Sequence, residues 1–441
     1  MTNKGLTPDR IPVLLVVRAL PAHRPGGLEF HTLDLANGLA DVGHPVTILT
    51  TELTPQSASW NIHGGLRPAI HVETTPTIKQ GRYGRPFWRS VAELSAAWSR
   101  KQFLEFGGKD QPVLFPVVHA QEYAGLLIPR RPGGAVLVHT IHGTVTSEVT
   151  LDSRYMAHLP PWGWIRELWR HRGRLAMTIP FMQMLRRADL LITDSDFTRE
   201  RILRRHPGLR TPVESVACGL DFQRLGPPGI GAPIPLEFRT DSPLRLAMLQ
   251  RIQLQKGVAV ALTSIGKLVQ EGLPTELDVA GQGDFLEQAR QLSRQLGLER
   301  VVRFHGRIPD SDIGPFLSRC HAMLIPDLAQ PAFGLVAIEA MHYGLPVIAA
   351  RSGALPENVH PHCGWVYDDP FDPESLGNLL RQILSHPASL LSRVEHLHSH
   401  ANRHTASNMA RRVSLLYLAM ANLDPTGRME RPLQDKAADI P

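Results

Sequence analysis

The sequence predicts an α/β protein built from two doubly wound parallel-sheet domains. Three observations carry this. Short apolar strands alternate with amphipathic helices along most of the chain. The alternation runs twice, on either side of residues 225–243, a stretch holding Gly-Pro-Pro-Gly and Ala-Pro-Ile-Pro with no periodicity, which is a linker signature. At 441 residues the chain is long enough for two or three domains.

Val13 to Val17 is a continuous apolar strand. Gly26-Gly27 is a turn, and Leu28, Leu35, Ala36 and Leu39 then recur at helical spacing until Gly43 stops the helix. Val46 to Thr51 is the next strand, with further strands at Val113 to Val118, Ala135 to Thr140 and Leu190 to Thr193. Beyond the linker, strands fall at Leu244 to Leu249, Glu276 to Ala280, Val301 to Phe304, Met323 to Ile325 and Pro346 to Ala349. Strands that read as continuous apolar runs are buried on both faces, which requires a parallel sheet covered by helices on both sides. A last helix is expected around Ser407 to Met420. The expected boundaries are a first Rossmann-like domain over 1–224, the linker over 225–243, a second Rossmann-like domain over 244–405, a terminal helix over 406–422, and a polar tail over 423–441 that is expected to be disordered. In open sheets of this kind ligands bind outside the carboxyl ends of the strands, which predicts a cleft lined by the two halves.

Composition excludes several classes. A net charge of +6 is spread along the chain with no nucleic-acid motif, so no nucleic-acid partner is expected. Cys218, Cys320 and Cys363 are too few, and odd in number, for a disulfide framework, and none forms a close pair of the zinc-binding kind. A reducing cytoplasm fits them best. No apolar run is long enough to span a bilayer, and the run from Pro12 to Val17 is interrupted at Arg18 with no cleavage site after it. The expected location is cytoplasmic. Residues 153–187 interleave Trp162, Trp164 and Trp169 with Arg166, Arg170, Arg172, Arg174, Arg186 and Arg187, and residues 82–101 hold Arg82, Arg85, Phe87, Trp88, Arg89 and Arg100. Such a composition suits peripheral contact with an anionic membrane; the competing reading places the aromatic rings in the core.

The most informative stretch is Phe333-Gly334-Leu335-Val336-Ala337-Ile338-Glu339-Ala340-Met341, closing with Gly344-Leu345-Pro346-Val347-Ile348. It reads as a loop, a helix starting at a glycine, and a buried strand. N–H groups at such a helix start face an anion, because they are unpaired and the helix dipole favours negative charge there. Glu339, five residues in, is placed to reach a ribose hydroxyl. Arg251 and Lys256 follow the strand Leu244 to Leu249, where a guanidinium and an ammonium would clamp a diphosphate and neutralise the charge that develops as it leaves. Gly281-Gln282-Gly283-Asp284 and Gly306-Arg307-Ile308 follow two further strands, Ile141-His142-Gly143-Thr144 ends a strand of the first half, and Gly26-Gly27-Leu28-Glu29 opens its first helix.

From about Ile11 to Met420 these segments resemble the retaining glycosyltransferases of family 4, the glycosyl transferases group 1 type, with the two-domain GT-B fold. The resemblance implies transfer of a sugar from a nucleotide-diphosphate donor, a UDP- or GDP-sugar, to a hydroxyl acceptor such as a glycan, a lipid-linked sugar or a small glycoside. Configuration at the anomeric carbon is retained, and neither a cofactor nor a divalent metal is needed. It implies that Arg251 and Lys256 stabilise the diphosphate and that His142 lies near the bond being broken. The donor would be held by Gly26, Gly27, Gly281, Gly306, Arg307, Ile308, Phe333, Gly334, Leu335 and Glu339. It also implies a terminal helix that crosses back to the first domain, and a further cleft position at Glu357.

Three departures stand out. The family's first glutamate, which contacts the donor sugar, is here Pro331. The explanations are a different donor sugar, substitution by Gln330 or Asp327, or a silent nucleotide-binding subunit that supports a partner transferase. Where the family commonly has Asn before Gly219-Leu220-Asp221, this chain has Cys218. Asp194-Ser195-Asp196 spells the metal-binding motif of other glycosyltransferases, but it sits in a strand-to-helix turn and reads as helix capping.

Overall fold

The computed structural model describes residues 10–23, 26–52, 65–75, 84–106, 115–143, 176–229, 231, 234 and 237–421. Two compact units result: one from described residues within Met1–Val149, His171–Arg224 and Thr405–Pro441, the other from those within Leu225–His404.

Among the described residues the first unit carries β1 (Val13–Val16), β2 (Val46–Thr51), β3 (His71–Thr75), β4 (Val117–Gln121), β5 (Val136–Ile141), β6 (Leu190–Thr193) and β7 (Val213–Ser215). They form one parallel sheet in the order β3-β2-β1-β4-β5-β6-β7. β1, β4, β5 and β6 are buried along their whole length, as their unbroken apolar runs require. The helix Gly27–Asp41 buries Leu35, Ala36 and Leu39, and Gly43 beyond it adopts φ +100°, a left-handed geometry suited to glycine. The helix Ala406–Ala421 belongs to this unit, and its Met409, Val413 and Tyr417 join the core formed by β1, β2 and the helix Gly27–Asp41. A Cβ at Gly38 would lie 2.4 Å from the Ala406 carbonyl oxygen, so glycine permits this close helix contact.

The second unit carries β8 (Leu244–Leu249), β9 (Thr275–Ala280), β10 (Val302–Gly306), β11 (Ala322–Ile325), β12 (Val347–Ala350) and β13 (Gly364–Tyr367), parallel in the order β10-β9-β8-β11-β12-β13. In both sheets the winding reverses beside the first strand, at β1/β4 and at β8/β11. Each reversal opens a crevice at the carboxyl ends of those strands.

Phe87 is fully buried and the half-buried Trp88 indole donates to the Tyr123 carbonyl at 2.7 Å, while Arg85, Arg89 and Arg100 of the same segment are exposed. Trp162, Trp164, Trp169 and residues 423–441 lie outside the described residues. No helix among the described residues is long and apolar enough to cross a membrane.

Candidate active site

In the second unit the loops at the carboxyl edge of the sheet are stitched to one another. After β8, Gln250 N donates to Ala280 O, and Ile252 N to Gln282 O. Gly281 N donates to Gly306 O at 2.7 Å, which ties in the loop after β10. Leu328 N and Ala329 N both donate to Gln255 O. The glycines make these approaches possible. A Cβ at Gly281 would sit 1.8 Å from Gln250 O, and one at Gly257, whose φ is +71°, would sit 1.7 Å from Pro326 O.

This stitching fixes Lys256 at the β8/β11 reversal. Its Nζ lies 2.7 Å from Asp327 Oδ2. Asp327 is 3% exposed. Burial pushes its carboxyl above the usual range, against the pull of Lys256. Arg251 is exposed on the same loop. Next along the chain, Gly334 caps the helix Leu335–His342 in the left-handed conformation, φ +96°, where a Cβ would meet Leu355 Cδ2 at 2.7 Å. Phe333 is buried beside it, and its carbonyl accepts from Asn358 Nδ2. Leu335 and Glu339 are half-buried on the helix. The structure thus brings Lys256, Arg251 and a helix N-terminus to loops at the carboxyl edge of one sheet, a combination that favours a bound anion.

Other predicted positions lie on the same edge. Gly306 ends β10 at φ +68°, followed by exposed Arg307 and half-buried Ile308. Gln330 is exposed and Pro331 half-buried. The Pro331 carbonyl accepts from Ala354 N, and its backbone runs so close to Gly353 that a Cβ there would come within 2.5 Å of it. Asp327 is the ion-pair partner of Lys256. Glu357 is exposed on the short helix Leu355–Asn358.

His142, Gly26 and Gly27 belong to the first unit. Gly26 precedes the helix Gly27–Asp41, and a Cβ there would collide with the Glu29 carboxylate at 2.4 Å. His142 follows β5 and is held from both sides: Nδ1 donates to Asp194 Oδ2 at 2.6 Å, and Nε2 lies 2.8 Å from Gln121 Oε1. Burial opposes charge on His142, but the Asp194 carboxylate, aided by Glu122 and Glu29, more than reverses this and raises its pKa. Burial likewise opposes charge on Asp194, and His142 overcomes it, holding the carboxyl below its usual range. The His31 ring meets His142 edge-on at 4.7 Å. Burial, then the positive charge of His142, lowers the His31 pKa to about 4. His119, read as structural, sits between Tyr417 Oη and Thr140 Oγ1, each at 2.6 Å.

The sequence reading missed Asp194 and Gln121 as partners of His142. Ser195 alone caps the helix Asp196–Arg205, its Oγ accepting from Thr198 N at 3.2 Å, which leaves Asp194 free for His142. The available signal was positional: Gln121, His142 and Asp194 all stand at the carboxyl ends of neighbouring strands.

Two doubly wound units, one with an anion-favouring edge, define a two-domain α/β protein of the GT-B architecture. The family model for glycosyl transferases group 1 matches residues 237–401, and that for glycosyltransferase family 4 matches residues 25–224. The chain belongs to this glycosyltransferase family. A D-inositol 3-phosphate glycosyltransferase of Corynebacterium urealyticum is 26% identical over 271 residues, covering 59% of this chain and 64% of the relative. A glycogen synthase of Mycobacterium tuberculosis is 25% identical over 393 residues, covering 86% of this chain and 87% of the relative. Among solved structures, a sucrose-phosphate synthase of Thermosynechococcus elongatus superposes with a TM-score of 0.69 at 20% identity, covering 93% of this chain and 98% of that one. An Anabaena protein crystallised with UDP and glucose superposes at 0.64 and 16% identity, covering 92% and 99%.

Proposed function

We propose that this protein transfers a sugar from a nucleotide-diphosphate sugar to a hydroxyl acceptor, with retention and without a divalent metal. The observation that carries the reading is the convergence of Lys256, Arg251 and the Gly334-capped helix start at the carboxyl edge of one sheet. The fold neighbour holding UDP and glucose supports a nucleotide-sugar donor.

In this reading the acceptor hydroxyl attacks the anomeric carbon on the leaving-group face, and a phosphate oxygen takes its proton. The new glycosidic C–O bond forms as the bond to the diphosphate breaks. Arg251, Lys256 and the N–H groups at Phe333-Gly334-Leu335 take up the negative charge of the departing diphosphate. Glu339 orients the ribose, and His142, whose pKa Asp194 raises, exchanges the Gln121 contact of its Nε2 for a hydroxyl of the donor sugar. The backbone at Gly306-Arg307-Ile308 and Gly281 receives the base. The work is cytoplasmic, and a lipid-linked acceptor would bring the protein to the membrane face.

The test is a panel of UDP-, GDP- and ADP-sugars without added metal, reading nucleotide release and protection from thermal unfolding. Selective protection by one donor with slow hydrolysis, both lost in Glu339→Ala, supports the reading. Binding of bare nucleotide with no turnover on any donor points instead to a silent subunit, to which Pro331 in place of the sugar-contacting glutamate would then belong.

A further inference from the structure

Two features that set this sequence apart meet in the first unit. Asp194 opens the Asp194-Ser195-Asp196 turn, and Cys218 stands where the family commonly has Asn. The fold brings both to His31. One ligand atom from each of His31, Asp194 and Cys218 lies within 4.8 Å of the other two, and all three residues are buried. They come from the helix Gly27–Asp41, the end of β6, and the segment between β7 and the helix Phe222–Leu225, so tertiary structure alone assembles them.

A second observation is independent of that proximity. Both ring nitrogens of His31 are buried without a hydrogen-bond partner among the described residues, and the Cys218 thiol donates to the Asp194 carboxylate beside them. His31 is 5% exposed and Asp194 4%. Buried polar atoms are disfavoured unless something satisfies them, and the unprotonated nitrogen of the His31 ring, beside a thiol and a carboxylate, suits an electrophile.

We propose that His31, Asp194 and Cys218 bind a divalent transition-metal cation, with Zn²⁺ the best fit. One imidazole nitrogen, one carboxylate oxygen and one sulfur make a three-ligand set that leaves a fourth tetrahedral position to water. The sulfur selects against Mg²⁺ and Ca²⁺, which take oxygen ligands. Ligand atoms around tetrahedral zinc stand about 3.3–3.7 Å apart, so side-chain shifts of about 1.5 Å or less close the site. On binding, metal–nitrogen, metal–oxygen and metal–sulfur bonds form, the Cys218 S–H bond breaks and its proton leaves to solvent, with no change of oxidation state. Asp194 Oδ2 keeps its hydrogen bond to His142, while Oδ1 takes the ion. Occupancy would therefore be felt at His142 through one shared carboxylate. The inference does not rest on the sugar-transfer reading, because it is tested by binding.

The full chain, stripped with a chelator, is titrated with Co²⁺ and followed by absorbance, and Zn²⁺ is then added in competition. The expected result is one equivalent of Co²⁺ giving a near-ultraviolet thiolate-to-cobalt band that Zn²⁺ abolishes. Cys218→Asn, which installs the family's usual residue, and His31→Gln should each weaken binding about 100-fold or more and remove the band, with metal-free thermal unfolding of at least one of them unchanged. The exposed His360, His362 and His396, with ring centroids 4.9 and 5.2 Å apart, can take metal too, but imidazole alone gives no thiolate band. Absence of the band in the wild-type chain, or its persistence in both variants, overturns the proposal.

Discussion

Replacing Lys256 with Met tests whether the ammonium serves the fold, the ligand, or both. Its Nζ is 2.7 Å from an Asp327 carboxylate that is 4% exposed, while Lys256 itself is 26% exposed. Removing one partner of such a pair leaves a buried charge, which costs about 3–5 kcal/mol. Because the lysine end is partly solvated, the low end applies, about 3 kcal/mol at pH 7. For a unit of this size that lowers Tm by about 6–12 °C. The Asp327 carboxyl is already raised by burial, so the folded state holds its proton more tightly than the unfolded chain does. Its contribution is therefore greatest at low pH and is lost as pH rises through its folded value. Without Lys256 that value rises further, and the deficit should shrink as pH falls toward 5. Calorimetry across pH on Lys256→Met, Asp327→Asn and the double variant measures this directly. The double variant should regain most of the lost stability yet show weakened donor protection and turnover, since Arg251 is then the one side-chain cation of the pair left to meet the diphosphate. A single variant within 1 kcal/mol of wild type at pH 7, or additive effects in the double variant, would refute the coupling.

Other outcomes follow from the same geometry. Glu339→Ala should lower kcat/KM about 10- to 150-fold if its carboxylate holds a ribose hydroxyl, by steady-state kinetics on the preferred donor. Gly334→Ala should lose about 1–3 kcal/mol in thermal unfolding, from a left-handed φ of +96° and a Cβ 2.7 Å from Leu355 Cδ2, and should bind donor more weakly. Pro331→Glu should shift donor preference in the sugar panel; an unchanged profile removes Pro331 from that role. Burial, then the Arg187 charge, lowers the His139 pKa to about 3, so the unfolded chain binds its proton first as pH falls below 6.5. That stability is present above pH 6.5 and is lost on acidification, about 2 kcal/mol between pH 7 and 5 for this one residue. His139→Gln should flatten that part of the pH dependence.

The interior of both sheets was legible in the sequence because interior strands are buried on both faces. Val46–Thr51, Leu190–Thr193 and Leu244–Leu249 match their predicted bounds. The missed strands, His71–Thr75, Val213–Ser215 and Gly364–Tyr367, are all edge strands. Their half-exposed residues, such as His71 and Glu73, break the apolar run that marks a strand. At the candidate site, the motif residues could be read from glycine placement and strand ends, whereas their partners could not. Asp327 lies 71 residues from Lys256, and Asp194 lies 52 from His142. Only the winding of the sheet brings such pairs together. The capping assignment was right for Ser195 and wrong for Asp194, because a capping turn needs one side-chain acceptor and the sequence offered three.

The hydrogen bond between His119 and Tyr417 joins β4 to a helix nearly three hundred residues downstream. The first unit is therefore begun early in synthesis and finished last. While the ribosome makes residues 225–404, the face that Met409, Val413 and Tyr417 will cover has no partner from its own unit. The nascent protein must carry that apolar surface until Ala406–Ala421 emerges. Any exchange of halves with a related enzyme must move this helix together with the amino-terminal segment, or the graft will lack a wall of its own core.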